Sequence, residues 1–188
     1  MSLLMVGAGG HARAVAEALA TACTPVDSYV DPRPNTWLKA RYLRADTETE
    51  ALPAENFVIG VGGMSPEQLS NRLALFGAYR KRGWTPRTVI HASAIISKDT
   101  EIGAGCIILA RAVIQPATKI GEAVIVNTGA IVEHDSSVGD GSHVAPGAII
   151  LGGCKVGAAC MIGAGALVLP GAQVPDGTLV PAGGRYPK

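Results

Sequence analysis

The chain contains four histidines, namely His11, His91, His134 and His143. One of them has neighbours that suit it to proton transfer. His134 lies between Glu133 and Asp135. A neutral imidazole can remove a proton near pH 7. A carboxylate that accepts a hydrogen bond from the other ring nitrogen orients the imidazole and raises its basicity. These residue types predict His134 as a general base, with Asp135 or Glu133 as its partner.

Isoleucine or valine recurs at every sixth position through the second half of the chain, without an insertion: Ile90, Ile96, Ile102, Ile108, Ile114, Ile120, Val126, Val132, Val138, Val144, Ile150, Val156, Ile162, Val168, Val174 and Val180. Four places after each, from Ala94 to Thr178, the residue is Ala, Ser, Thr or Cys, except at Val124. A repeat of this regularity predicts a solenoid, in which each unit buries its apolar face on its neighbours.

Each repeat combines a short strand with a corner. Residues two apart on a strand share a face, so the small residue and the Ile or Val two places later both point inward. The other two positions turn the corner, and the second of them is Gly in eight of fifteen repeats: Gly105, Gly129, Gly141, Gly147, Gly153, Gly165, Gly171 and Gly177. Glycine accepts the positive φ that a sharp corner needs. His134 falls at the first corner position of its repeat, so we expect it to project from an edge.

The repeats resemble the hexapeptide repeat of the left-handed β-helix acyltransferases, in the runs 102–106, 138–142 and 162–166. In that family three hexads make one triangular coil. The resemblance implies an all-β left-handed parallel β-helix of about five coils, over residues 89–188. Carbonic anhydrases and scaffold proteins share this helix, so the repeat specifies the fold better than the reaction.

Residues 1–88 show a different pattern, in which predicted strands and helices alternate. We predict strands at 2–6, 26–30, 57–61 and 84–89, helices at 12–22 and 66–82, and an edge strand at 40–46. Alternation of this kind favours a small parallel sheet. The sequence therefore predicts an α/β Rossmann-like N-terminal subdomain ahead of the β-helix.

A glycine-rich turn at 7–12 follows the first predicted strand. Glycines allow backbone N–H groups to approach a phosphate, and the next helix offers its positive N-terminus. Asp31 ends the second predicted strand, where a carboxylate can bind a ribose hydroxyl. The turn is either a nucleotide cradle or a tight strand–helix turn without a ligand. A dinucleotide redox cofactor is disfavoured, because the domain is too short for both mononucleotide halves.

The glycine-rich turn followed by hexads resembles the bacterial sugar O- and N-acyltransferases, namely the sialic acid O-acetyltransferases and the UDP-4-amino-sugar N-acetyltransferases. The resemblance implies transfer of an acyl group, with acetyl as the expected one, from coenzyme A to an amino or hydroxyl group of a sugar, in bacterial polysaccharide or glycan biosynthesis. It implies acceptor contacts by the N-terminal domain at Ala8, Gly9, Gly10, Asp31, Pro32 and Gly62. His11 contacts the acceptor or caps the helix, and His91 is expected to be structural.

The same resemblance implies roles in the β-helix. The segment 127–135 corresponds to the catalytic segment, with His134 as general base and Asp135 as its partner. His143 is a contact of acetyl coenzyme A or an outward surface residue. Gly152, eighteen residues after His134, is expected one coil further on, where its N–H could stabilise an oxyanion. Further coenzyme contacts are implied at Ala164 and Ala182, although the tail after 174 is short for the family.

Composition limits the other possibilities. The net charge is +1, which does not favour nucleic acid or an anionic membrane as partner. No stretch is long and apolar enough to span a membrane, and residues 1–7 carry no basic leader, so we expect a cytoplasmic protein. The cysteines of the repeats are expected to be buried thiols, with no metal and no disulfide.

We expect a homotrimer, because a triangular helix exposes three flat faces and the family binds coenzyme A between subunits. The outward residues Leu109, Ile125 and Leu151 are apolar enough to contact a partner.

Two other classes of protein remain as alternatives. One is a γ-type carbonic anhydrase, which needs three histidines around zinc, and the other is a non-catalytic nucleotide-sugar-binding scaffold.

Overall fold

The structure, a computed structural model, describes residues 2–187. Its N-terminal part is a five-stranded parallel sheet in the order β3-β2-β1-β4-β5, with two α-helices and one 3₁₀ helix. In chain order the elements are β1 Leu3–Val6, α1 Gly10–Thr21, β2 Ser28–Val30, β3 Arg41–Leu43, the 3₁₀ helix Asp46–Ala51, β4 Asn56–Ile59, α2 Pro66–Lys81 and β5 Thr85–Pro86.

The sequence located the strands and α-helices to within a few residues, but it did not predict the 3₁₀ helix. Ser65 begins α2 by accepting a hydrogen bond from the N–H of Gln68, and Pro66 occupies the first turn, where its missing N–H costs nothing. The strand predicted at 84–89 is instead two short strands, because the chain leaves the N-terminal sheet after Pro86 and enters the solenoid at Val89. The Rossmann-like classification of this sheet, and the division at residue 88, stay predictions.

The second part is a parallel β-solenoid of about five coils, made of seventeen two-residue strands. Face I contains β6 Val89–Ile90, β9 Ile107–Ile108, β12 Ile125–Val126, β15 His143–Val144, β18 Met161–Ile162 and β21 Leu179–Val180. Face II contains β7 Ile95–Ile96, β10 Val113–Ile114, β13 Ile131–Val132, β16 Ile149–Ile150, β19 Leu167–Val168 and β22 Arg185–Tyr186. Face III contains β8 Glu101–Ile102, β11 Lys119–Ile120, β14 Ser137–Val138, β17 Lys155–Val156 and β20 Gln173–Val174.

The predicted register of the repeats is confirmed. The Ile and Val positions from Ile96 to Val180 form one apolar core. Only Ile90, at the open end, remains 42% exposed. The second corner position has positive φ in every repeat from Gly105 to Gly183, including those without glycine. The left-handed sense of the winding stays a prediction.

The small inward residues also form hydrogen bonds to backbone carbonyl groups, a function that their size does not suggest. Where the residue carries a hydroxyl or thiol, it donates to the carbonyl oxygen fifteen residues further on, as Ser142 does to Gly157 at 2.8 Å, except for Thr178, which donates to the Pro175 carbonyl oxygen. Thr88, Thr100, Cys106, Thr118, Ser136, Cys154 and Cys160 make the same contact. These side chains satisfy corner carbonyls that the strand ladders leave unpaired. The three cysteines of the repeats are buried, as expected.

The N-terminal part covers face I as far as Met161, while Leu179 in the last coil is 52% exposed. The outward side chains Ile107 and Ile125, together with Leu109, are buried against residues of β1 and α1. Leu109 and Ile125 are 2% and 0% exposed within one chain. The expectation that these two residues contact a partner subunit is therefore wrong, because their apolar surface is already covered by the chain's own N-terminal part.

Faces II and III differ in their outward residues. Face II presents five consecutive aliphatic side chains: Ile95, Val113, Ile131, Ile149 and Leu167. Face III presents polar ones: Glu101, Lys119, Ser137, Lys155 and Gln173. Nothing in residues 2–187 covers the face II stripe, where Ile95 is 65% exposed. No helix between residues 2 and 187 has the length and apolar character needed to cross a membrane.

Candidate active site

His134 lies at the edge between faces II and III, with its side chain 61% exposed. Its Nδ1 is 2.8 Å from Oδ2 of Asp135. Asp135 occupies the second corner position with φ of 57°, a conformation that aspartate tolerates better than most residues. The corner thereby turns the carboxylate back onto the ring, which adjacent strand residues cannot do. Because the carboxylate accepts a hydrogen bond, Nδ1 carries the proton and Nε2 keeps a free lone pair.

Gly152 lies directly beside this ring, one coil further on. A Cβ added to Gly152 would lie 2.7 Å from both Cε1 and Nε2 of His134. The ring can therefore occupy this position only because residue 152 has no side chain. The Gly152 N–H has no hydrogen-bond partner within residues 2–187. This edge thus combines a proton acceptor, Nε2 of His134, with a free hydrogen-bond donor, the N–H of Gly152.

We predict that Gly152→Ala lowers turnover by about 10²-fold, because the new methyl group displaces the imidazole and an error of about 1 Å in a reacting group costs that much. Gly152 does not have positive φ, so alanine introduces no backbone strain there. The melting temperature should change little. Steady-state kinetics and thermal unfolding measure both effects. Gly77→Ala, in α2 with no atom near the added Cβ, is the control, and equal turnover in the two variants would contradict the prediction.

A second cluster lies on face I, around His143. The ring is only 7% exposed, so the alternative of an outward surface residue is wrong; the N-terminal part covers it. Its Nδ1 is 2.8 Å from the carbonyl oxygen of Gly63, and its Nε2 is 2.9 Å from Nδ2 of Asn127. Burial is the main cause that lowers the pKa of His143. A neutral ring bridges the two parts of the chain here.

His11 approaches the same cluster from α1. Its ring centroid is 6.5 Å from that of His143, and Gly62 packs against its Cβ. Burial, followed by the charge of Arg72 and by His143, lowers the pKa of His11 to about 4. Its Nε2 is buried and lacks a hydrogen-bond partner in the described part of the chain. His11 is therefore neutral near pH 7, and it makes no side-chain cap of α1.

The predicted acceptor residues lie around two adjoining cavities. One, of about 370 Å³, is lined by Asp31 and Pro32, and the other, of about 520 Å³, by Gly62; Val61 and Leu75 line both. Asp31 accepts hydrogen bonds from the N–H groups of Ala8 and Arg33, at 2.9 and 3.0 Å, so its carboxylate also holds the glycine-rich turn. Ala8 is buried, while Gly9 and Gly10 are exposed at the start of α1.

The two remaining predicted coenzyme contacts share the edge between faces I and II. Ala164 and Ala182 are exposed and lie one coil apart, with the N–H of Gly183 bonded to the Ala164 carbonyl oxygen at 2.8 Å. They flank face II on the side opposite to His134. Face II is therefore bordered by residues predicted for the acyl donor on both of its edges.

Within one chain the predicted site residues lie apart: besides Ala164 and Ala182 on the edge between faces I and II, they form two further groups. His134, Asp135 and Gly152 lie on the edge between faces II and III, whereas His11, Gly62 and His143 lie where the N-terminal part covers face I. In a triangular solenoid that edge is opposite face I. A single chain does not bring the predicted base to the predicted acceptor cavities.

Comparison with known proteins identifies enzymes whose structures are similar to this one. No protein-family model matches the chain, and no curated protein matches it significantly by sequence. The acetyltransferase domain of PglB from Neisseria gonorrhoeae has a similar structure, with 28% identity and a TM-score of 0.89 over 98% of this chain and 90% of that one. The chain matches a hexapeptide-repeat sugar acyltransferase. The predicted resemblance is thereby confirmed.

Two further solved structures share this fold. PerB from Caulobacter crescentus, in complex with CoA and GDP-perosamine, superposes with a TM-score of 0.79 at 24% identity, over 97% of this chain and 95% of PerB. The PglB domain in complex with acetyl coenzyme A gives 0.78 at 24% identity, over 97% of both chains. The structural homologues are coenzyme A-dependent acetyltransferases, as the sequence predicted.

Sequence reasoning missed Arg72 and did not single out Asn127. Arg72 had a detectable signal, because it lies on the α2 stripe that otherwise carries Leu69 and Phe76, and a charge on a buried stripe is unusual. Asn127 had none, since its partner His143 is sixteen residues away. Residues 2–187 contain no group of three or more His, Cys, Asp or Glu side chains arranged to hold a metal ion.

Proposed function

We propose that this acyltransferase moves an acetyl group from acetyl coenzyme A to the amino group of a nucleotide-linked sugar, with His134 as general base. The observation that carries the proposal is the His134 edge. There Asp135 holds Nδ1 at 2.8 Å, Nε2 is free, and the N–H of Gly152 is unpaired beside the ring. An exposed base next to a free donor suits attack on a thioester carbonyl.

The proposed reaction uses these groups in one sequence. The amine nitrogen attacks the thioester carbonyl while Nε2 of His134 takes a proton from it. The imidazolium that forms is stabilised by Asp135. The carbonyl oxygen gains negative charge and accepts a hydrogen bond from Gly152. The C–S bond then breaks, the thiolate leaves and receives the proton from His134, and an amide and coenzyme A are released.

We assign the nucleotide end of the acceptor to the cavities lined by Asp31, Pro32 and Gly62. Exposed glycines at the start of α1 leave its N–H groups accessible, and a helix N-terminus attracts phosphate. A UDP-4-amino sugar is the acceptor that we propose first. PerB was crystallised with a GDP sugar, so the nucleotide has to be tested. Sialic acid O-acetylation is the alternative, because a neutral imidazole also serves a hydroxyl group.

The experiment is a coenzyme A release assay against UDP- and GDP-linked 4-amino sugars, their 4-hydroxy analogues, sialic acids and free amino sugars. The proposal expects turnover only with nucleotide-linked amino sugars. Turnover with the hydroxy compounds or sialic acids would favour O-acetylation. Nucleotide-sugar binding without any coenzyme A release would favour the scaffold, and carbon dioxide hydration by the zinc-loaded protein would favour the carbonic anhydrase.

We further propose that the enzyme is a homotrimer whose subunits meet through face II. The aliphatic stripe on face II is an apolar surface with no cover in residues 2–187, whereas face III is polar and face I is occupied by the N-terminal part. The stripe consists of Ile95, Val113, Ile131, Ile149 and Leu167. Burying such a stripe between subunits is favourable. It would also bring the His134 edge of one subunit toward the N-terminal part of its neighbour.

This arrangement predicts complementation between two inactive variants. Random co-assembly of equal amounts of His134→Ala and Asp31→Ala subunits should restore about a quarter of the wild-type activity. Each site would take His134 from one subunit and Asp31 from its neighbour in a cyclic trimer. Half of the subunits keep each residue, so about a quarter of the sites keep both. Each variant alone should be inactive. The measurement is activity after refolding from a mixed denatured sample, with light scattering to confirm trimers. A mixture no more active than its components would place each site within one subunit.

A role in bacterial glycan biosynthesis and a cytoplasmic location complete the proposal. The role in glycan biosynthesis follows from the resemblance, and both stay predictions.

A further inference from the structure

Arg72 is buried between α2 and the solenoid, with 1% of its surface exposed. Its Nε donates to the carbonyl oxygen of Val61 at 2.9 Å, and its Nη1 donates to the carbonyl oxygen of Ala123 at the corner between faces III and I. Nη2 is buried and finds no hydrogen-bond partner in the described residues. Burial lowers the pKa of the guanidinium to about 10, so it stays charged near pH 7.

This charge is poorly compensated. No ion pair joins Arg72 to a carboxylate within residues 2–187. Apolar residues often replace buried charges with no loss of stability, and α2 already packs Leu69 and Phe76 at neighbouring turns. Stability alone therefore gives no reason for an arginine here. Arg72 also lines the cavity of about 520 Å³ beside Gly62, and its two hydrogen bonds hold a defined segment of that cavity wall in place.

The two bonds fix the segment between β4 and α2 against the solenoid. Val61 is two residues from Gly63, whose carbonyl oxygen faces Nδ1 of His143 at 2.8 Å. A carbonyl oxygen only accepts, so Nδ1 must carry the proton. Nε2 then has a lone pair, which accepts from Nδ2 of Asn127 at 2.9 Å. The position of this one carbonyl group thus selects the tautomer of the ring.

We infer that Arg72 is a positioning residue: by joining Val61 to Ala123, it holds the Gly63 carbonyl against His143 and keeps that ring in the Nδ1–H form, with Nε2 directed to Asn127. The catalytic consequence rests on the proposed acetyl transfer together with the family resemblance, which implies that His143 contacts acetyl coenzyme A. The tautomer itself does not depend on it. If the Gly63 carbonyl group moved away, the His143 ring could also adopt the Nε2–H tautomer. The proton on Nε2 would then face the amide of Asn127.

The test is the ¹⁵N spectrum of histidine-labelled protein at pH 7, without substrate, for wild type, Arg72→Met and Arg80→Met. Arg80 is the matched control. It lies on the same helix and pairs with Glu122, next to Ala123, at 2.5 Å, but it is half-exposed and does not touch the 61–63 segment. Arg72→Met should shift His143 from a single Nδ1–H tautomer to a mixture, and Arg80→Met should leave it unchanged.

Kinetics supply the second measurement. Arg72→Met should raise the KM for acetyl coenzyme A by roughly 2-fold to 10-fold, the worth of one hydrogen bond, at nearly unchanged kcat. If Arg72→Met does not fold, Arg72→Gln is measured in its place. A wild-type His143 spectrum in a folded Arg72 variant would overturn the inference, and so would unfolding of both variants, which would make Arg72 a residue of the fold. Absence of acyl transfer in the wild type would instead refute the proposed function, while the spectra still decide the inference.

Discussion

His134→Ala is expected to lower turnover by roughly 10²-fold to 10⁴-fold, the usual contribution of a positioned general base. The imidazole is the group on its edge that can accept the proton of the attacking amine, since Nδ1 is held by Asp135 and Nε2 is free. Binding of acetyl coenzyme A should largely survive, because the long arm of the coenzyme is held elsewhere. Steady-state kinetics at saturating substrates, with calorimetric binding of the coenzyme, separate the two effects.

His91→Ala is the matched control for this variant. His91 belongs to the first coil, where its Nδ1 is 2.9 Å from Oγ of Ser93, and it was predicted to be structural. Its replacement should leave turnover within about twofold, since a surface substitution away from the site has little effect. Near-normal turnover of His134→Ala would mean that the base lies elsewhere.

Val132→Asp is expected to unfold the solenoid. Val132 is fully buried in the central apolar core. An aspartate there would be a charge without a partner, which costs several kcal/mol or forces the group to stay protonated. A loss of that size is a large fraction of the stability of a typical domain and should lower the melting temperature by about 10 °C or more. Thermal unfolding followed by circular dichroism measures it.

Ser137→Asp makes the same chemical change on the outward side of the solenoid. Ser137 lies between Lys119 and Lys155 in the register of face III, so a new carboxylate there meets favourable charges. Its melting temperature should stay within about 2 °C of the wild type. A folded Val132→Asp protein with an unchanged melting temperature would show that the inward register is wrong.

The sequence could predict much of the solenoid because its period is local and unbroken. Every repeat has six residues, so counting alone places Val132 inward, His134 at a corner and Gly152 on the same edge one coil later. The choice of Asp135 over Glu133 as the partner of His134 came from the family resemblance, and the structure shows that contact at the corner. The geometry agrees with these placements, while the catalytic roles stay predictions.

The N-terminal sheet could be predicted only in outline. Its strands and helices were visible as apolar runs, and the glycine-rich turn marked the start of α1. Leu109 and Ile125 were misjudged, because the repeat identifies an outward position but does not tell whether another part of the chain covers it. The same limit applies to His143, which the period places outward and the structure buries.

The sequence by itself determined the register of the solenoid, the edge that carries His134 and the enzyme class that its motifs resemble. These follow from interactions within one or two coils, at separations of 18 residues or fewer. Only the tertiary structure decided which face the N-terminal part covers, that face II is left open, and that Arg72, Gly63, His143 and Asn127 form one cluster. The physical reason is distance along the chain: Gly63 and His143 are 80 residues apart, and no local pattern specifies how two such surfaces dock.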